Sequence, residues 1–277
     1  MKSILLTLLG SCLLSQAAPL VVDDIVLEHQ FQVAVGELSE DENHCTGESL
    51  SESLKDLPRK FSAQLEGNKT PVDPTEAVYL IGAVYKCDKC DDWHTAGIAT
   101  AWCLSEDGLM ASNHHVFAKA KGAVMGVCNR EGKAWAITEI VAADPAEDIA
   151  IFRVKGTGFK PLPLGEPAEI GSRVRVISHP ARKFYIQTFG EVSRYYVGAR
   201  NKEKNTRMMI SAEYAKGSSG GPVLNSDNEV VGMVSSTQPI YYSTKKGKAT
   251  GPLQMTVRNC VPVSSIRKMI AEEPSPE

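Results

Sequence analysis

From residue 76 onward the chain is a succession of short apolar or alternating runs, punctuated by Gly, Pro, Asn and Asp-Gly. The runs cover 77–85, 96–104, 123–128, 135–142, 149–154, 174–178, 184–197, 208–212, 229–235 and 253–257. Runs this short, bounded by turn residues, predict the strands of a sandwich or barrel. Long helical periodicities are missing between them, which argues against a parallel sheet with crossover helices. The stretch 156–171 is rich in Gly and Pro and divides the strand region in two. Beyond the last run, 264–271 predicts a helix behind a Ser cap, ended by Pro274 and Pro276.

The segment ahead of the strands has a different texture. Within 19–58 the only basic side chain is Lys55, against a run of Asp and Glu. Phe31, Val33 and Val35 alternate like a strand, whereas Leu50, Leu54, Leu57, Phe61 and Leu65 recur at helical spacing broken by Pro58. A pro-segment, a flexible leader and a helix packed on the main body all fit. The Asn/Pro-rich stretch 68–74 predicts a linker. Residues 1–18, MKSILLTLLGSCLLSQAA, have the basic start, apolar centre and small-residue end of a secretory signal, with cleavage expected after Ala17 or Ala18. Cys12 weakly suggests a lipid-attachment box, but Leu13 and Leu14 carry the apolar run past it. No later run is long enough to cross a bilayer, so no membrane span is expected after cleavage. The expected division is 1–18 signal peptide, 19–75 acidic extension and linker, 76–160 and 161–263 two β-domains, and 264–277 helix and tail. An exported protein, periplasmic or secreted, is expected.

Composition adds exclusions. The 277 residues are 43% hydrophobic and 23% charged, ordinary for a globular chain. Thirty Lys+Arg against 33 Asp+Glu give a net charge of -3, so nucleic acid is not an expected partner. Beyond the signal lie Cys45, Cys87, Cys90, Cys103, Cys128 and Cys260, an even number that permits disulfides in an exported chain. Cys87-x-x-Cys90 followed by His94 is the one metal-like spacing, with His44 or Cys45 as a fourth ligand. A local disulfide or two reduced thiols fit the same residues.

The sharpest chemical signal is Gly217-Ser218-Ser219-Gly220-Gly221-Pro222. A serine nucleophile needs an exposed hydroxyl on a tight turn, with backbone N–H groups aimed at a developing oxyanion. A Gly-rich turn is also often only a turn. Gly217-x-Ser219-x-Gly221 fits an α/β-hydrolase elbow too, but that fold places its His after the Ser. Here every His, at 29, 44, 94, 114, 115 and 179, precedes Ser219. The order His, Asp, Ser is available instead. His114 or His115, at the end of an apolar strand, supplies imidazole. Asp148 directly precedes the apolar run 149–154, which would carry its carboxylate to the edge of a buried layer, within reach of an imidazole N–H.

Together Ser112-Asn113-His114-His115-Val116, Asp148-Ile149-Ala150-Ile151 and the 217–222 turn resemble the trypsin-like serine proteases, most closely their HtrA (Deg) branch. Leu164-Gly165-Glu166, the stretch 187–193, Glu229-Val230-Val231-Gly232 and Cys260-Val261-Pro262-Val263 extend the resemblance over roughly 76–271. It implies an all-β, chymotrypsin-like fold: two six-stranded antiparallel β-barrels with a cleft between them, here with an N-terminal extension and a C-terminal helix. It implies His115 as general base, standing directly before Val116, Asp148 as orienting acid and Ser219 as nucleophile. The N–H groups of Gly217 and Ser219 match the oxyanion hole. Glu213 and Tyr214 match the floor of the substrate pocket, and Ser235, Ser236 and Thr237 its wall. Glu213 would favour basic side chains; if it faces solvent, Tyr214 shortens the pocket in favour of small apolar ones.

The chain also departs from the family. Ser218 stands where many secreted members carry Asp, and there is no Ile-Val-Gly-Gly start, so activation by a new N-terminus is not expected. No PDZ-like module is expected after the body. The resemblance implies hydrolysis of polypeptide substrates through an acyl-enzyme with no cofactor. The rival readings are an inactive binding module on the same fold and a zinc protein centred on Cys87, Cys90 and His94.

Overall fold

The computed structural model describes residues 19–271 except 43, 64, 66–70, 72, 119, 201–202, 246–247 and 250. The expected signal peptide and the tail beyond 271 lie outside the described residues, as does most of the expected linker.

Twelve strands form two closed six-stranded antiparallel barrels. The first contains β1 (Val78–Lys86), β2 (Trp93–Cys103), β3 (Leu109–Ser112), β4 (Val124–Cys128), β5 (Ala134–Asp144) and β6 (Ile149–Val154), in the order β1-β2-β3-β6-β5-β4. The second contains β7 (Arg173–Ser178), β8 (Ile186–Arg200), β9 (Glu203–Ile210), β10 (Pro222–Leu224), β11 (Val230–Tyr241) and β12 (Leu253–Pro262), in the order β9-β12-β11-β10-β7-β8. This is the all-β, two-barrel arrangement the resemblance implied. Among the described residues no helix is long and apolar enough to cross a membrane.

Several strands are buried on both faces, which is why they read as continuous apolar runs. On β1, Tyr79, Ile81 and Ala83 join the interior of the first barrel with Ala101, Met110, Met125 and Phe152. The alternate residues Val78, Leu80 and Val84 face a second cluster that runs between the barrels to Ile177, Leu224, Met233 and Val261. Val176, Met208, Ile210, Val223 and Val234 fill the second barrel.

The acidic extension is part of this core. α1 (Asp24–Glu37) starts on Asp23, whose carboxylate accepts the N–H groups of Ile25 and Val26. The alternation of Phe31, Val33 and Val35 pointed to a strand; that expectation is corrected. Leu27, Phe31 and Val35, four residues apart, form the buried stripe of a helix, while Val33 is 37% exposed. α2 (Gly47–Ser53) opens with a reciprocal capping box between Thr46 and Ser49. The leucine ladder leaves the helix before Pro58, whose carbonyl accepts Ala143 N–H at 3.0 Å. At the other end α4 (Val263–Met269) follows Pro262 with no side-chain cap, so the expected Ser cap is also corrected. Ile270 and Ala271 then pair in parallel with Phe61 and Ser62.

Candidate active site

His115, Asp148 and Ser219 are brought together from three separate connections between strands. β3 ends at Ser112, and a one-turn helix α3 (His114–Ala118) presents His115 over the barrel edge. Asp148 closes the turn from β5 to β6 with φ 64, a left-handed conformation that Asp tolerates better than most side chains. Ser219 sits in the loop from β9 to β10, between Gly217 (φ 101) and Gly220 (φ 84).

The geometry links all three. His115 Nε2 lies 2.9 Å from Ser219 Oγ, and His115 Nδ1 lies 3.0 Å from each carboxylate oxygen of Asp148. Asp148 is 0% exposed. Its charge is met by donors: His115 N–H to Oδ1 at 3.2 Å and Ser235 Oγ to Oδ2 at 2.6 Å. A buried carboxylate so bonded fixes which imidazole nitrogen carries the proton and leaves Nε2 free to accept one. Ser219 is partly exposed.

The nucleophile loop is locked by contacts that cross between the barrels. Thr100 on β2 donates its N–H to Ser219 O at 2.9 Å and its hydroxyl to Gly217 O at 3.0 Å. A Cβ at Gly220 would overlap Thr100 O and Ser112 Oγ, so the close approach requires glycine. Ala181 N–H donates to Lys216 O at 2.7 Å. Because the peptide is planar and trans, this turns the Gly217 N–H to the opposite side. Among the described residues neither Gly217 N–H nor Ser219 N–H donates to a protein acceptor. Ser218, fully buried, accepts from Ser178 Oγ at 2.9 Å.

The acid turn is held from the second barrel. Asn205 Nδ2 and Arg207 Nη2 donate to Ala146 O at 2.7 and 2.8 Å, and Arg207 Nη1 donates to Glu147 O at 2.8 Å. Asn113 Nδ2 donates to Asp148 O at 3.0 Å. Thr100, Asn205, Arg207 and Ala181 were not anticipated from the sequence. The available signal for Thr100 was a lone polar side chain in the apolar run 96–104, whereas Arg207 ends the polar stretch 203–207 and gave none.

The residues expected around a substrate pocket separate into two groups. The Glu213 carboxylate is 79% exposed and pairs with Arg258 Nη2 at 2.6 Å. Tyr214 is buried, and its hydroxyl reaches the carbonyl oxygens of Asn259 and Ser236 at 2.8 and 3.1 Å. Ser236 and Thr237 are exposed on β11, whereas the Ser235 hydroxyl is engaged with Asp148. Cys103, Cys128 and Cys260 are buried thiols in three separate apolar clusters, each pushed up to about 12 by burial. Cys87, Cys90 and His94 lie together at the β1–β2 turn.

The profile of the trypsin-like peptidase domain matches residues 99–233. A probable periplasmic serine endoprotease, DegP-like, of Ectopseudomonas mendocina (strain ymp) is 30% identical over 141 residues, covering 49% of this chain and 28% of that protein. The protein of the same name in Halomonas elongata is 25% identical over 224 residues, 80% of this chain and 42% of the relative. An uncharacterized protein of Sinorhizobium fredii is 31% identical over 142 residues, 50% of this chain and 21% of its own length. The chain spans less than half the length of these relatives.

Proposed function

We propose that this chain, similar to the trypsin-like peptidases of the HtrA/Deg type, is an exported serine endopeptidase working through an acyl-enzyme. The observation that carries the reading is the continuous link from the Ser219 hydroxyl through His115 to a buried, bonded Asp148 carboxylate.

In this reading Ser219 Oγ attacks a peptide carbonyl carbon while His115 Nε2 takes the hydroxyl proton. Asp148 holds the imidazolium in orientation and compensates its charge. The carbonyl oxygen, now an anion, is met by the N–H groups of Gly217 and Ser219, an effect worth roughly 3 kcal/mol for a single well-placed donor. Collapse of the tetrahedral adduct expels the amine, which receives the proton from His115. Water then attacks the ester by the same route and releases Ser219. None of these steps draws on a metal or an organic cofactor.

The pocket reading follows from Tyr214. At the pocket floor that the resemblance assigns to it, its buried ring would shorten the pocket, and the Glu213 charge is turned outward to Arg258. Cleavage after small apolar residues is therefore proposed. Export is proposed from the pattern of residues 1–18 and from the periplasmic naming of the DegP-like relatives.

A fluorophosphonate probe tests the reading directly. One adduct on Ser219, located by mass spectrometry and missing in folded Ser219→Ala, is expected. A folded chain that takes no probe, or labelling that survives Ser219→Ala, would overturn it.

A further inference from the structure

The turn between β1 and β2 gathers two thiols and an imidazole that the peptidase reading does not use. The strands pair antiparallel, with Tyr85 opposite His94 and Lys86 opposite Trp93. Cys87 N–H donates to Asp92 O, and Asp91 N–H donates to Cys87 O, both at 3.0 Å. Asp91 has φ 58, which tightens the return. The turn thus sets Cys87 at the end of one strand, Cys90 at the tip and His94 at the start of the next.

The ligand atoms of Cys87, Cys90 and His94 all lie within 4.8 Å of one another, and Cys90 Sγ is 3.0 Å from His94 Nε2. The Tyr85 ring lies beside the His94 ring, centroids 5.7 Å apart.

We propose that Cys87 Sγ, Cys90 Sγ and His94 Nε2 bind one zinc ion, with water in the fourth position. Two thiolates and an imidazole suit zinc, and disfavour calcium and magnesium, which seek oxygen. Bond lengths of about 2.3 Å to sulfur and about 2.0 Å to nitrogen put tetrahedral ligand atoms roughly 3.5–3.8 Å apart. From the 3.0 Å between Cys90 Sγ and His94 Nε2, the atoms need to part by less than about 1 Å. Cys90 is exposed, so solvent reaches the open position.

The site is remote from the peptidase chemistry. His94 and Thr100 are six residues apart on β2, roughly 20 Å at strand rise. What the metal would hold is the end of the hairpin against which α1 lies. Gln32 Nε2 donates to Thr95 Oγ1 at 3.1 Å, and Gly36 packs on the Trp93 indole so closely that a Cβ would overlap it. Zinc therefore staples the turn that supports the acidic extension.

The test uses the full chain carrying Ser219→Ala, reduced and stripped of metal, and reads metal binding alone. Zinc is titrated against a chromophoric chelator, and cobalt(II) is followed by absorption. One equivalent of zinc is expected, together with thiolate-to-cobalt charge-transfer bands and d–d bands of tetrahedral intensity. Cys87→Ser and Cys90→Ser should abolish binding, His94→Ala should weaken it about tenfold or more, and Cys45→Ser should leave it unchanged. The proposal fails if the reduced chain shows no saturable binding, or if stoichiometric binding survives the double Cys87→Ser/Cys90→Ser variant. It also fails if thiol trapping at harvest finds Cys87 and Cys90 joined as a disulfide.

Discussion

Mild acid is expected to destabilise the protein through one buried imidazole before its carboxylates titrate. His179 is 0% exposed, behind the nucleophile loop. Its Nδ1 accepts Tyr185 N–H at 3.1 Å, and the Phe184 and Tyr185 rings lie 5.8 and 4.8 Å away. Burial pushes its pKa down from 6.5 to about 3, while a backbone contact with Tyr79 works weakly the other way. The folded ring is neutral, whereas the unfolded chain takes up a proton near pH 6.5. Stability is therefore complete above pH 6.5 and falls as pH drops toward 3, where the folded ring protonates as well. At about 1.4 kcal/mol per pH unit inside that window, the loss from pH 7.5 to pH 5 is about 2 kcal/mol. Asp73, where burial is outweighed by Thr75 and Arg130 together, and Asp107, held low by Ser105 and Arg153, withdraw their contribution only below roughly pH 4. Urea unfolding of the Ser219→Ala chain at several pH values, with and without His179→Asn, isolates the His179 share. The variant keeps an acceptor for Tyr185 N–H but does not titrate, so its pH slope should be shallower by that amount. If it does not fold, the His179 ring signal followed by NMR decides the matter. Equal slopes, or a ring that titrates near 6.5, would refute the reasoning.

Four further outcomes follow from the contacts. Ser235→Ala removes the 2.6 Å donor to Asp148 Oδ2; turnover should drop about tenfold with KM nearly unchanged, measured on a peptide substrate, since a buried charge-assisted bond is worth roughly 1.5–3 kcal/mol. Asp24→Ala removes the acceptor of Phe184 N–H at 2.8 Å and the ion pair to Lys183; it should loosen the 180–185 loop and slow probe labelling of Ser219 several-fold, and an unchanged labelling rate would separate α1 from the oxyanion loop. Gly220→Ala forces a side chain against Thr100 O at φ 84; a drop in thermal midpoint equivalent to about 3 kcal/mol or more is expected. Glu213→Ala should leave the residue preference of a peptide library unchanged, because that carboxylate faces solvent and Arg258; lost cleavage after basic residues would return Glu213 to the pocket.

The strands were legible because their punctuation is local: Gly, Pro and Asn end each run whatever the barrel does with it. Closure was not written in hydropathy, since β1 is buried on both faces and so has no polar side to orient it. The extension misled for a different reason. Val33 lies between Phe31 and Val35 and imitates alternation, yet only the residues four apart reach the core. Asp23, the cap that would have marked a helix, looked like one more acid in an acidic run. Likewise the expected Ser cap of α4 is unused, because Pro262 already sets the extended entry to the helix.

The candidate site shows the same division, and its cause is the type of partner involved. His115 follows an apolar run, Asp148 directly precedes one and Ser219 lies in a Gly-rich turn, so a reader of the chain meets them as motifs. Thr100, Asn205 and Arg207 do as much to hold the geometry, but they bond backbone: Gly217 O, Ala146 O and Glu147 O. A carbonyl acceptor leaves no complementary side chain anywhere in the sequence, so no pairing rule finds it. These contacts also join the barrels, since Thr100 on the first grips the nucleophile loop of the second, and Arg207 on the second grips the acid turn of the first. The separation between Asp148 and Ser219 is thereby set by bonds in both directions across the cleft. Relative movement of the barrels must break buried hydrogen bonds, including those of a nearly buried guanidinium, before it can lengthen the contact between His115 and Ser219.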